Sequence, residues 1–550
     1  MTTGVGKQLK DFGPAAAASD SDIFFSAQSG VEKKMTAVQL AAYMQAKVIQ
    51  NKNVETFISG NGVTPGTFLP GGSSITLANN YGSINNIDVF ADGAPQLDCA
   101  LTGNVLGFPN GGIPNVSKIT VKGALTVPVG AIGTGAVGDA QLANGSRIFY
   151  INKNTQLTPD YYECVADWNG VTGSDNTLNF QRLVNDIAAI GGGEIDLGNN
   201  GFFAFKNLIV PDGVRIYGRG RYRSGLVTTN VSGSGTANGG VIQLGNSSML
   251  RGLSLTAATP MTGGILVLLL GNLAEVSDYQ MTNYYTGVQA GSAALEVINA
   301  RVAEGNMFSP SLVSGGNAII GANFGNLVVE GVVGSGPASG PQPYSGLRLL
   351  NGDTAFVKAV NMTRHGAGLL MNPSPVQNLY SCVFSDSDFD SAVGQSSAQI
   401  APLGGAVWGA KFNNVWFGLS TQDGLLISGA GGGTVDGVGL SNCEFPGNGG
   451  CGLNVSGANV SNVIVNGGWA AGNSQDGYRF TNGTSKFQLN GVTGGPCSGR
   501  GPNGGYGCQV VTGASNAYAI ANSLFAGNST GSLLDNGTGS SKSVNNNLLS

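Results

Sequence analysis

The sequence predicts a nearly all-β solenoid of stacked short strands, closed at its N-terminal end by one amphipathic helix and preceded by a region with different patterning. Three observations predict it: the segment from Ala166 to Gly220, a repeat running down the rest of the chain, and a glycine-rich, charge-poor composition. In the segment, Phe180, Leu183, Val184 and Ile187 recur at three- and four-residue steps as one apolar stripe. Asp175 and Thr177 offer side-chain oxygens to cap that helix, and Gly191, Gly192 and Gly193 stop it. The runs EIDLG, FFAFKNLIV and VRIYG follow, punctuated by Gly, Asn and Pro-Asp-Gly, which is strand and turn chemistry. A coil of strands has an end whose apolar interior and backbone edges need cover, and a helix laid across it supplies that.

The repeat is a small residue followed by an apolar one. It occurs at Gly240-Val241, then at Gly264, Gly287, Asn317, Gly346, Gly368, Gly424, Gly452, Gly477 and Gly507, and last at Ser532-Leu533, in steps of 22 to 30 residues broken by one of 56. Such a period with variable insertions marks turns that share a core and differ in their loops. A second series (GNLVVEGV, QNLYSCVF, NNVWFGL, SNVIVNGGW, SNAYAIANSLF) keeps step with it. Asn448, Asn473 and Asn528 recur at one corner, where stacked amides bond from turn to turn and Asn tolerates a left-handed backbone.

Composition agrees. The chain has 91 Gly in 550 residues and 10% charged residues, against about 25% in ordinary globular proteins. Its 41% hydrophobic content argues against disorder. A net charge of −5 without a basic block leaves no electrostatic footprint for nucleic acid. The longest apolar run, Ile265 to Leu270, is too short to span a bilayer, and MTTGVGKQLKDFG lacks the apolar core of a signal peptide, so synthesis in a cytoplasm without a cleaved signal is expected. Seven scattered Cys read as buried small residues, although Cys443 with Cys451, or Cys497 with Cys508, would close a local loop in an oxidising setting. With His365 the one histidine, the residues call for no metal and no cofactor.

The motif DWNGVTGSDNT, the helix, GGGEIDL and VPDGVRIYGRG together resemble the first turns of the pectate-lyase-like superfamily of right-handed parallel β-helices, which includes polygalacturonases, polysaccharide lyases and bacteriophage tailspikes. The resemblance implies a right-handed parallel β-helix of about 11–12 rungs over 166–535, with a tail at 536–550. The stretch DSDIFFSAQSGVEKKMTAVQLAAYM, with a helix expected over TAVQLAAYMQAKVIQ, resembles virion-anchoring segments of tail fibres and tailspikes and assigns 1–50. The strand-like stretch around DVFADGAPQ resembles a small attachment β-sandwich and assigns 51–123, leaving 124–165 as neck. This order implies a homotrimeric phage adsorption protein of the virion tail, bound to tail or baseplate proteins through its N-terminal region and to a bacterial surface polysaccharide through its shaft, with no membrane insertion.

Glycosidases need two carboxyls about 5–5.5 Å apart for retention or about 6.5–9.5 Å apart for inversion. A β-helix offers side chains about 4.8 Å apart on successive rungs and about 6.8 Å apart at i and i+2. The densest acids are Asp386, Asp388 and Asp390 in YSCVFSDSDFDSAV. With Leu379, Ser381 and Val383 inward and Tyr380, Cys382 and Phe384 outward, alternation puts all three Asp on the outer face. Close like charges raise one another's pKa, which suits a general acid beside a base. The cluster also falls in the 56-residue gap, where the repeat is least regular. Glu304 and Glu330 are further catalytic candidates at strand positions, whereas Asp423 and Asp476, in repeated Gln-Asp-Gly corners, read as turn caps. Arg364, His365, Tyr380, Trp408 and Trp416 are the candidate substrate-binding residues. Arg364-His365-Gly366 resembles polygalacturonase elements loosely, but the Asp cluster follows the His instead of preceding it; Arg364, His365 and Tyr344 would serve a lyase instead. The expected activity is carboxylate-assisted hydrolysis, with elimination or binding without catalysis as alternatives.

Overall fold

The computed structural model describes residues 158–549 apart from 199–200, 234–238, 309–314 and 514–516, together with the strands of 23–36 and most of 52–124. The helix expected over 36–50 and the neck from 125 to 157 lie outside the described residues. The chain divides into two compact units, Met1–Ala143 and Asn144–Ser550.

In the first unit, Ile23–Gln28 and Val31–Thr36 form an antiparallel hairpin. Further on, a five-stranded and a three-stranded sheet share a core that includes Phe57, Phe68, Leu106, Ile119 and Val121.

The second unit is a parallel β-helix. Its N-terminal cover is α1 (Thr177–Ala189), whose buried residues are the stripe Phe180, Leu183, Val184 and Ile187. The cap differs from expectation. Asn176 is the N-cap and spends its side chain on the backbone of Val165, Ser174 and Ala204, so Asp175 takes the Thr177 amide at 3.0 Å. The Thr177 hydroxyl instead accepts the Lys206 amide, tying the helix to the strands beneath it.

Below the helix, thirteen parallel strands from Leu208–Val210 to Gly531–Asp535 form one sheet, and twenty-six further strands form the rest of the wall. All eleven repeat positions fall on or at the start of strands of the thirteen-stranded sheet. From Gly346 onward they are in register, for a steric reason: a Cβ on Gly346, Gly424, Gly452 or Gly477 would lie 2.6–2.7 Å from the carbonyl oxygen of the glycine one rung on. The 56-residue gap is two ordinary turns. Ala398–Ile400 pairs with Leu369–Met371 on one side and Leu425–Ile427 on the other, and Ser397 stands where the repeat has glycine. The shaft also continues past 535, because Ser541–Asn545 pairs parallel to Ala517–Ala521 where a tail was expected.

Corners with positive φ interrupt or join the twenty-six strands and stack in columns. One runs through Asp278, Glu304, Gly331, Ala359, Asp386, Asn414 and Asn442, a second through Asn326, Thr354, Ser381, Gly409 and Gly437, and a third through Arg364, Ser391, Leu419 and Gly447. Each corner shifts the in–out alternation by one residue, because the left-handed backbone turns the chain there, whether within a strand, as at Asp278 and Glu304, or between strands, as at Ser381 and Asp386.

The Asn corner is a buried ladder. Asn448, Asn473 and Asn503 each donate a side-chain hydrogen bond to the next rung's Asn at 2.8–2.9 Å, ending on Asn528. Asn503, in GPNGG, is the member the sequence pattern missed. Asp423 and Asp476 accept the amides of Cys451 and Tyr506 at 2.7 Å, as expected of turn caps. All seven Cys are free, and five are buried.

Asn473→Ala removes two buried donors and the acceptor of two Asn448 N–H groups. The expected loss is about 2–4 kcal/mol of stability, since unsatisfied buried groups cost about 1–3 kcal/mol each. Urea unfolding against Asn414→Ala, at an exposed corner, measures it; equal midpoints for the two variants contradict the ladder's role.

Candidate active site

The chain around YSCVFSDSDFDSAV forms three strand segments of one turn: Asn378–Tyr380, Val383–Ser385 and Asp388–Asp390. Leu379 is buried and Tyr380 exposed, as expected, but Ser381 is a left-handed corner, so Cys382 and Phe384 point inward and Val383 outward, opposite to the expectation. Asp386 is a second such corner, which restores the phase. Asp388 and Asp390 therefore do flank the buried Phe389 on the outer face, whereas Asp386 does not join them. Asp386 is an exposed corner residue whose carboxylate accepts the Asn414 side chain at 2.9 Å.

Register between rungs supplies the neighbours. Asn361, Asp388, Trp416, Glu444 and Trp469 follow one another in a single outward row, and Thr363, Asp390 and Gly418 form the row beside it. Trp416 and Trp469 meet edge to face with centroids 6.1 Å apart. Gly418 has a specific job: a Cβ there would collide with the Trp416 indole nitrogen, so its absence lets the indole lie over the row that holds Asp390.

The two carboxyls have unequal surroundings. Asp388 accepts one hydrogen bond, from the Asn361 amide at 3.1 Å, and its Oδ1 is sealed from solvent without a partner. Burial first, and the Asp390 charge second, push Asp388 up to about 6. Burial also raises Asp390, but the Ser391 amide, the Trp416 indole N–H, the Ser391 hydroxyl and the Arg500 guanidinium all favour its charged form. The pair is thus arranged for one shared negative charge, with the proton on Asp388.

Other expected site residues lie elsewhere. Glu330 shares Arg301 with Glu275, at 3.4 and 3.0 Å, and serves an ion-pair network. Glu304 is a left-handed corner residue, one rung before Gly331 in the column of Asp386. His365 is fully buried with neither ring nitrogen paired and is driven down to about 4 by burial, so it presents nothing to the outer face. Arg364 is an exposed corner residue whose amide bonds to the Asp390 carbonyl at 3.2 Å. Tyr380 and Trp408 are adjacent to each other in a different outward row, between Asp353 and Asp436 and two corners away from Asp388. Of Tyr380, Trp408 and Trp416, only Trp416 stands with the acid pair. Trp469, Glu444, Asn361 and Gly418 complete its surroundings; the last three were missed, because the signal that places them is pairing between rungs. A cleft of about 280 Å³ at the capped end, lined by Glu194, Asp196, Tyr217, Gly218 and Arg219, is many rungs away and has Asp196 ion-paired to Arg219.

Fold and site together define a parallel β-helix whose wall carries an acid pair beside two tryptophans. No family model and no curated protein matches the chain. Solved structures that resemble it include the A-module of Azotobacter vinelandii mannuronan C-5 epimerase AlgE6 (13% identity, covering 71% of this chain and 98% of that one, TM-score 0.39). Bacteriophage CBA120 tailspike protein 3 is 12% identical, with 72% and 62% covered and a TM-score of 0.43. The catalytic unit of a GH87 alpha-1,3-glucanase from Streptomyces thermodiastaticus is 12% identical, with 90% and 94% covered and a TM-score of 0.40. Function must be read from this chain's own side chains.

A carboxyl whose pKa is higher folded than unfolded favours folding while protonated, and that advantage is lost as pH rises through the folded value. Asp388→Asn is therefore expected to raise the thermal midpoint relative to wild type at pH 8, with the difference vanishing below pH 4. Thermal melts across that range measure it; an Asn variant less stable at pH 8 than at pH 4, relative to wild type, contradicts the assignment.

Proposed function

We propose that this protein is a phage tailspike that binds and depolymerises a bacterial surface polysaccharide (capsule, exopolysaccharide or O-antigen) by hydrolysis. Asp388 is the general acid and Asp390 the base. The observation that carries the reading is the asymmetry of the pair: one carboxyl sealed and nearly without donors, the other also raised by burial but facing an indole, a serine and an arginine that favour its charged form.

Residues i and i+2 on one strand stand about 6.8 Å apart, which leaves room for a water between acid and base and favours inversion. Asp388 protonates the glycosidic oxygen as the bond to the anomeric carbon breaks; Asp390 takes a proton from the water that attacks the same carbon. Trp416 and Trp469 offer faces for sugar rings along the row, with Glu444 between them to accept hydroxyl hydrogen bonds. Elimination through Arg364, His365 and Tyr344 is disfavoured, because His365 is buried and Tyr344 is engaged with Arg348. The virion role is supported by the attachment-like N-terminal sequence ahead of the shaft; trimeric assembly and docking to tail or baseplate proteins belong to the same proposal.

Release of reducing ends from host polysaccharide tests the chemistry. Asp388→Asn and Asp390→Asn are each expected to lower turnover about 10²–10⁴-fold, while Asp386→Asn and Glu330→Gln leave it within about threefold, the scale of rim changes. In wild type, kcat/KM falls as pH rises through about 6, where Asp388 loses its proton. Full activity of either Asn variant, or a profile flat from pH 5 to 8, overturns the assignment; absence of any product across host glycans leaves a binding fibre.

A further inference from the structure

We propose that Arg348 is a recognition site for the carboxylate of an acidic sugar, so that the polysaccharide held by the shaft is uronate-bearing. The inference rests on the glycan reading for its carrier and adds the charge.

Arg348 lies on the outer face of the thirteen-stranded sheet, in register between Ile320 and Leu370, which are 8% and 2% exposed. It is half-buried between two apolar neighbours, a costly place for a charge that nothing neutralises. Three other half-buried shaft arginines have counter-ions: Arg221 has Asp278, Arg301 has Glu275 and Glu330, and Arg479 has Asp476. Among the described residues, no carboxylate pairs with Arg348.

What holds it instead is neutral and orienting. Its Nε donates to Asn372 Oδ1 at 3.0 Å, and Asn372 is itself buried. Its Cζ lies 5.2 Å from the centroid of the Tyr344 ring. Tyr344 is anchored through its carbonyl, which accepts the Ala367 amide at 3.1 Å. Nη1 and Nη2 donate to no protein atom, and neither is sealed from solvent. A planar guanidinium fixed on one edge and over one face thus presents its remaining edge, the fork that binds a carboxylate through two parallel hydrogen bonds. The corner Arg364–Gly366 bonds to the Asp390 carbonyl on one side and to Pro343 on the other, linking the acid strand to the segment that carries Tyr344.

The test uses the full chain with Asp388→Asn and Asp390→Asn, so that no cleavage disturbs binding. A panel of uronate-bearing bacterial polysaccharides, each with its carboxyl-reduced form, is titrated by calorimetry. At least one acidic member is expected to bind about tenfold or more tightly than its reduced form, the scale of one charge-assisted pair. Adding Arg348→Gln is expected to erase that preference, and Arg348→Lys to retain part of it as a check on folding. No preference for any acidic member, or a preference that survives Arg348→Gln, overturns the proposal. Sodium sulfate binding as tightly as the polysaccharide overturns the saccharide assignment. The two readings fail separately: reducing ends released by the double variant count against the acid pair, whereas the loss or survival of the acidic-over-reduced preference in Arg348→Gln judges Arg348 alone.

Discussion

Each turn of the shaft bends through residues in the left-handed backbone region, and these corners decide which side chains face out. A strand of three residues offers only one or two outward positions, and a left-handed residue at its end shifts the alternation of the next strand. Stacking then copies the choice from rung to rung, so that corners lie over corners and outward residues over outward residues. Asp388, Trp416, Glu444 and Trp469 form a row because their corners are aligned. Asp386, two residues before Asp388, is excluded because it is a corner itself.

That constraint explains what could be read from one dimension and what could not. The helix stripe and the small-then-apolar repeat were readable, because amphipathic spacing and close approach to a carbonyl each leave a mark in the residue type. The rung at Ser397-Ala398 was not, since serine fills the glycine position there without announcing it, and its loss made an ordinary part of the coil look irregular. Asp388 and Asp390 were placed on the correct face by two errors that cancel, at Ser381 and at Asp386. Glu444 and Gly418 depend on pairing between residues about 28 positions apart. No local pattern carries that distance. His365 shows the reverse error: a titratable residue beside an arginine drew a functional reading, while its ring lies in the interior.

The polar groups of the shaft divide by how completely they are satisfied. The Asn ladder, the turn-capping Asp423 and Asp476, and the Arg301 network have partners on every side and stabilise the stack. Asp388 and Arg348 do not. One is a carboxyl kept from donors, the other a cation kept from acids, and each faces outward from a rigid wall. Tyr279, Tyr284 and His365 are also unsatisfied but lie in the interior; an unpaired group on the outer face is where a ligand has something to complete.

Titration of carboxyl-labelled aspartates by NMR tests the central claim without requiring a substrate. The account predicts one aspartate titrating near pH 6, absent in Asp388→Asn and displaced downward in Asp390→Asn, where the neighbouring charge is gone. A wild-type protein whose aspartates all titrate below about 4.5, close to the ordinary range, would contradict it.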